Sequence, residues 1–151
     1  MKLKMDPRSM NNNVAVSFEG VESPQELDKI ETFVLEVLER LGKHHWDLSI
    51  FFCNNEIIRK LNNQYRNHNE STDVLSFAMG EMAGERFLPG DIVISLEKIG
   101  ENAKEFGCSA KEELHRVLIH GILHLVGMDH ASNDDNEEML LFQEKLLAEM
   151  K

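Results

Sequence analysis

Residues 110–130 read AKEELHRVLIHGILHLVGMDH, and this stretch decides what kind of domain the chain builds. At about 100° per residue, Leu114, Val117, Leu118, Gly121, Ile122 and Leu125 share one face of a helix, which must be the buried one. Ser109 with Glu112 supplies a capping box at its start, and Gly127 stops it. His120 and His124 lie one turn apart on the flank of the apolar stripe, so their rings project side by side. They are near enough to reach one ion with Zn–N bonds of about 2.0 to 2.1 Å. His115 lies roughly 180° from His124 on the same wheel and cannot join them; it is read as a surface histidine or one that supports the site from behind.

A third ligand must come from beyond the helix. Gly127 permits a left-handed turn, after which Met128 and Asp129 can bring His130 to face the same ion. Three imidazoles with a fourth position open make a catalytic site rather than a structural one, which is usually closed by four protein ligands. Asp129 is expected to orient a ligand ring or fill the turn, with a direct part in proton transfer as the alternative. Gly121 stands where the peptidase motif H-E-x-x-H has its general base, so that chemistry lacks its proton acceptor. A mid-helix glycine also costs about 1 kcal/mol relative to alanine, which predicts that another element packs closely against it.

Outward from this helix, LEKIGENAKEFG (96–107) precedes it as another helix and NEEMLLFQEKLLAEM (136–150) closes the chain as a last one. TDVLSFA (72–78) and GDIVIS (90–95) are two β-branched runs that suggest a hairpin, and the glycine-bearing segment MGEMAGERFLPG between them predicts a long, functional loop. NEIIRKLNNQYR (55–66) reads as a short helix with Ile57, Leu61 and Tyr65 inward, and WDLSIFFC (46–53) alternates as a half-buried strand. SPQELDKIETFVLEVLERLG (23–42) carries a cap at Ser23, Pro24 in the first turn, Glu26 three residues on and Gly42 as terminator. VAVSFEG (14–20) predicts a first strand. Strands gather early and helices late, so an α+β domain is expected, with helices packed on a small mixed sheet. Residues 1–12 are expected to form a flexible N-terminal segment, with Met10 an alternative start, and 13–151 a single domain.

The chain has 151 residues and is 42% hydrophobic, enough to bury a core without disulfides. Cys53 and Cys108 are isolated and read as reduced, buried thiols. Neither a secretory leader nor a membrane-spanning stretch is expected, which points to the cytoplasm. Acidic residues number 27 against 16 basic ones, a formal charge of -11 that opposes nonspecific attraction to nucleic acid. Any nucleic-acid partner needs a local basic patch. Arg59, Lys60 and Arg66 on one helix, with Arg86, Lys98, Lys104, Lys111 and Arg116 as a second rim, are the candidates, though each alone is most simply solvated surface charge. Tyr65 and Phe77 are able to stack bases but fit a core role better.

HGILHLVGMDH resembles the H-G-x-L-H-L-x-G-x-D-H signature of the YbeY family of bacterial metal-dependent endoribonucleases. LNNQYRNHNESTDVLSF and GDIVIS resemble two further blocks of that family, in the same order, and the likeness runs from about Asn13 to the end. One departure is Ala78-Met79 where a proline commonly follows T-D-V-L-S-F. The resemblance implies a zincin-like fold, one Zn2+ held by His120, His124 and His130, and cleavage of single-stranded ribosomal RNA precursors during maturation and quality control. It also implies that Arg66 is needed for activity. A guanidinium suits that role, because it binds phosphate through two parallel hydrogen bonds. Other divalent transition metals would be accepted in vitro. Ribosomal proteins or assembly GTPases are further candidate partners, with DNA and membranes excluded. Asp73 and Asp91 are minor candidates for proton transfer. Two competing readings stand beside this one: a metallohydrolase of peptides or amides, and a non-catalytic ribosome-assembly factor with a structural metal.

Overall fold

The computed structural model describes residues 11–23, 27–127 and 133–150, so Asp129 and His130 lie outside the described residues. In chain order the elements are β1 (Asn12–Phe18), α1 (Leu27–Arg40), β2 (Trp46–Cys53), α2 (Asn55–Arg66), β3 (Val74–Ala83), β4 (Arg86–Ser95), α3 (Leu96–Phe106), α4 (Ala110–Val126) and α5 (Asn133–Glu149). The four strands form one mixed sheet in the order β1-β2-β4-β3, with β1, β2 and β4 parallel and β3 antiparallel to β4 at the edge. This is the α+β architecture expected from the segregation of strand and helix patterns.

Alternation in β2 sends Leu48, Ile50 and Phe52 to one face of the sheet, where they meet Ile92 and Ile94 of β4, Val34 and Leu38 of α1, and Leu118 and Ile122 of α4. All of these are at most 1% exposed, and each such side chain contributes about 1.5–3 kcal/mol of burial free energy. On the other face a smaller cluster of Cys53, Leu75 and Val93 is covered by Ile58 of α2. Burial pushes the Cys53 thiol up to about 11, so it is an inert packing group. No described helix is long and apolar enough to cross a membrane.

The helix boundaries follow side-chain caps. Asn54 accepts from the Ile57 amide to start α2, Ser95 from Lys98 to start α3, and Ser109 from Glu112 to start α4. Gly127 ends α4 in the left-handed region at φ 104°, its amide bonded to Leu123 and His124 carbonyls.

Four expectations need correction. Strand β1 begins at Asn12, inside the segment expected to be flexible: Asn12 is 4% exposed and is pinned because its side chain accepts from the Trp46 amide at 3.0 Å and donates to the Lys43 carbonyl at 2.9 Å. The long loop after Ala78 does not exist. Both strands run on, pairing Glu81 with Leu88, Met82 with Phe87 and Ala83 with Arg86, and leave a two-residue turn at Gly84-Glu85. Tyr65 is 61% exposed rather than inward, because the last turn of α2 ends beside the sheet edge, where the ring meets Phe77 edge-on at 5.4 Å. Finally, α4 is buried over a wider arc than one stripe: Ile119 and Leu123 are fully buried too, since α1, α3 and α5 all pack against this helix while it rests on β3 and β4.

Candidate active site

Helix α4 and edge strand β3 frame a cleft of 160 Å³ lined by Arg66, Val74, Ser76, Ala78, His120, His124 and Leu125. Val74, Ser76 and Ala78 are there by the two-residue period of β3. His120 and His124 are there because they flank the buried arc of α4. Their rings cross at 74° with centroids 4.7 Å apart, and the two Nε2 atoms stand 3.1 Å from each other. Nitrogens sharing one ion at about 2.0–2.1 Å each, in tetrahedral geometry, are about 3.3–3.4 Å apart; the pair fits a common ion within a few tenths of an ångström. Among the described residues no third histidine, cysteine or carboxylate joins them, and the expected third ligand, His130, lies outside those residues, as does Asp129.

His120 turns its other nitrogen away from the cleft, with Nδ1 2.7 Å from Oε1 of Gln143 on α5. Gln143 is 4% exposed and uses its amide nitrogen on the Glu144 carboxylate at 3.1 Å. Arg116, one turn before His120 on α4, holds the same carboxylate through Nε at 2.9 and 3.2 Å.

Arg66 enters the cleft from the last turn of α2. Its Nη2 donates to the Ser76 carbonyl at 2.7 Å, and its guanidinium carbon lies 5.7 Å from the centre of the Phe77 ring. Among the described residues no carboxylate pairs with it. Four of the other candidate cations behave differently: Arg59 and Lys60 are bound by Glu56, Arg86 by Asp47, and Arg116 by Glu112, Glu113 and Glu144.

Ser76 joins the two halves of the site, since its backbone carbonyl holds Arg66 while its hydroxyl donates to the Gly121 carbonyl at 3.2 Å. Gly121 is buried against the sheet, and a Cβ there would meet Ile92 Cγ2 at 3.0 Å. This is the close approach that a mid-helix glycine predicts. Neither Asp73 nor Asp91 lines the cleft. Asp73 accepts from Asn102 and Thr72, each at 3.4 Å, and Asp91 sits within β4 opposite Phe77.

His115 is half-buried, neither a surface group nor a support for the histidine pair. Its ring stacks on Phe33 at 3.8 Å and 10°, beside a separate hollow of 360 Å³ that Leu147 and Met150 also line. Burial, and then the Lys111 charge, lower its pKa. Sequence reasoning missed Ser76 and Gln143. The available signals were the alternation of Val74, Ser76 and Ala78, and a glutamine placed among the apolar positions Met139, Leu146 and Leu147 of α5.

The Endoribonuclease YbeY family matches residues 13–151 of this chain. An Endoribonuclease YbeY of Treponema denticola is 48% identical over 149 residues, covering 94% of this chain and 96% of that protein. One of Treponema pallidum is 50% identical over 143 residues, covering 91% and 89%. Among solved structures, the solution structure of TM1509 from Thermotoga maritima superposes with a TM-score of 0.66 at 29% identity, over 91% of this chain and 88% of that one.

Proposed function

The chain belongs to the YbeY family of endoribonucleases, and from that premise we propose a zinc-dependent enzyme that cuts single-stranded ribosomal RNA precursors in the cytoplasm, during rRNA maturation and ribosome quality control. Residues 13–151 act as one metallohydrolase domain. His120, His124 and His130 hold the ion and Arg66 binds the scissile phosphate. The observation that carries this reading is the 3.1 Å approach of two imidazole Nε2 atoms in a cleft that also receives an arginine with no carboxylate partner among the described residues.

A zinc ion held there supplies Lewis acidity toward a phosphoryl oxygen and acidifies water to a pKa of about 7. The protein does the rest. Arg66 is oriented by its bond to the Ser76 carbonyl, and its remaining N–H donors are available to a phosphate whose charge rises during attack. Asp129 orients a ligand ring or moves a proton. Tyr65 and Phe77 offer an aromatic surface beside Arg66, suited to a base splayed from a single strand. The peptidase alternative is disfavoured by Gly121, where Ile92 fills the space a glutamate would need. Ribosomal proteins or assembly GTPases would present the RNA.

The test pairs two variants assayed on structured ribosomal RNA and on casein, with and without chelator. Arg66→Ala should retain stoichiometric zinc and lose on the order of 10²–10³ in kcat, the cost of removing one preorganised donor. His124→Ala should fold, lose zinc and be inactive. Undiminished RNA cleavage by Arg66→Ala would remove that residue from the mechanism. Unfolding of His124→Ala would favour the structural-metal reading.

A further inference from the structure

We propose that Gln143 is a positioning residue for the metal site: it fixes the tautomer of His120, and Arg116 with Glu144 fixes Gln143, so that α5 takes part in zinc binding. The inference rests on the reading of His120 as a ligand and adds a role for residues that stand outside the cleft.

The direction of every hydrogen bond follows from the far end of the chain of contacts. Glu113, 3% exposed, receives Arg116 Nη1 at 2.8 Å, and the same guanidinium binds Glu144 through Nε. Burial alone would raise the Glu144 pKa, but the bonds from Arg116 and Gln143 outweigh it and hold the carboxyl below its ordinary range. An ionised carboxylate only accepts hydrogen bonds. The Gln143 group 3.1 Å from it must therefore be the NH2, which turns Oε1 toward His120. A carbonyl oxygen also only accepts, so His120 Nδ1 carries the proton. Nε2, the nitrogen 3.1 Å from His124 Nε2, then keeps its lone pair for a metal.

A buried amide has no reason to sit among Met139, Leu146 and Leu147 for packing alone, because an unsatisfied polar group there would cost about 1–3 kcal/mol. Here both ends are used. Arg116 and His120 are one turn apart on α4, and the adjacent Gln143 and Glu144 of α5 bridge to them, so the two helices close a ring of contacts around the ligand. Histidine ligands generally donate their second ring N–H to a fixed acceptor, and loss of that acceptor weakens metal binding about 10–100-fold.

Zinc affinity of the full chain, measured by competition with a chelator, tests this in wild type, Gln143→Leu and Gln143→Glu. Leucine removes the acceptor, and zinc binding should weaken about 10–100-fold; glutamate keeps an acceptor for His120 but loses the NH2 donated to Glu144, so its affinity should fall clearly less than that of the leucine variant. Equal affinity in all three variants, or equal loss in leucine and glutamate variants with lowered melting temperature, would overturn the proposal and leave Gln143 a packing residue. Nitrogen-15 NMR of the zinc-loaded wild-type imidazoles is a second reading that needs no variant. It should find His120 protonated at Nδ1 and metallated at Nε2, and metallation at Nδ1 would refute the relay. Wild-type protein that takes up no zinc would instead sink the metal reading itself.

Discussion

A Cβ on residue 121 would stand 3.0 Å from Ile92 Cγ2, 3.2 Å from Ile92 Cδ1 and 3.4 Å from Ser76 Oγ. Two effects compete in Gly121→Ala. Alanine gains about 1 kcal/mol of helix propensity, while crowding a packed core typically costs about 1–3 kcal/mol. Ile92 is fully buried within β4 and has little room to yield, so crowding should win and urea denaturation should show a net loss of about 1 kcal/mol. In an Ile92→Ala background the neighbour is gone and the same substitution should stabilise, a coupling that a double-mutant cycle isolates. Gly121→Ala more stable than wild type in the parent background would contradict the packing argument. At this scale some neighbours are legible in the sequence and others are not: His120 and His124 line one cleft because their i, i+4 spacing is local geometry. Ser76 and Gln143 meet α4 across sequence separations of 45 and 23 residues, and no local period reports which strand or helix lies opposite.

At the scale of elements, periodicity located α2, β2 and α3 and a capping box located the start of α4, because these signals are local in sequence. The β3–β4 hairpin was expected, but its strands were read too short and its loop too long, for an equally physical reason. Glycines ordinarily mark loops, but Gly80 and Gly90 lie within these strands at positive φ, around the register shift between Ala78 and Glu81. The pattern of an irregular strand and that of a loop are alike in sequence. Tyr65 failed similarly: the helical period is right, but what lies opposite the last turn is the edge of the sheet, and only the fold reveals that. The hairpin reading yields its own prediction at Gly90, which has φ 135° and whose added Cβ would lie 2.0 Å from the Phe77 carbonyl oxygen. Gly90→Ala should therefore break the pairing of Ala78 with Gly90 and release the half of β3 that carries Met79 and Met82. Amide exchange should accelerate across residues 78–91 far more than in α1 or β1. Uniform protection in the variant would mean that the hairpin tolerates the side chain and the close approach is not obligatory.

For the molecule as a whole the difficulty is charge, since a protein of formal charge -11 has to handle a polyanion. At about 0.15 M ionic strength the Debye length is about 8 Å, so distant acidic groups are screened and only charges at the cleft act on the substrate. Half of the eight basic side chains named as candidates, Arg59, Lys60, Arg86 and Arg116, are already committed to carboxylates. Arg59 lies 2.7 Å from Glu56, Arg86 2.7 Å from Asp47, and Arg116 2.9 Å from Glu144. Arg66 is bonded to a neutral carbonyl instead. The protein should thus neutralise one or two phosphates rather than a long track of them. For single strands each phosphate contributes about -0.7 to the slope of log affinity against log salt. The kcat/KM for a short single-stranded RNA should then fall less than about tenfold between 50 and 200 mM salt, and Arg66→Ala should flatten the dependence further. A loss of about 10³-fold over that range, the behaviour of a protein making six or more phosphate contacts, would show that a basic surface exists which these ion pairs do not leave room for.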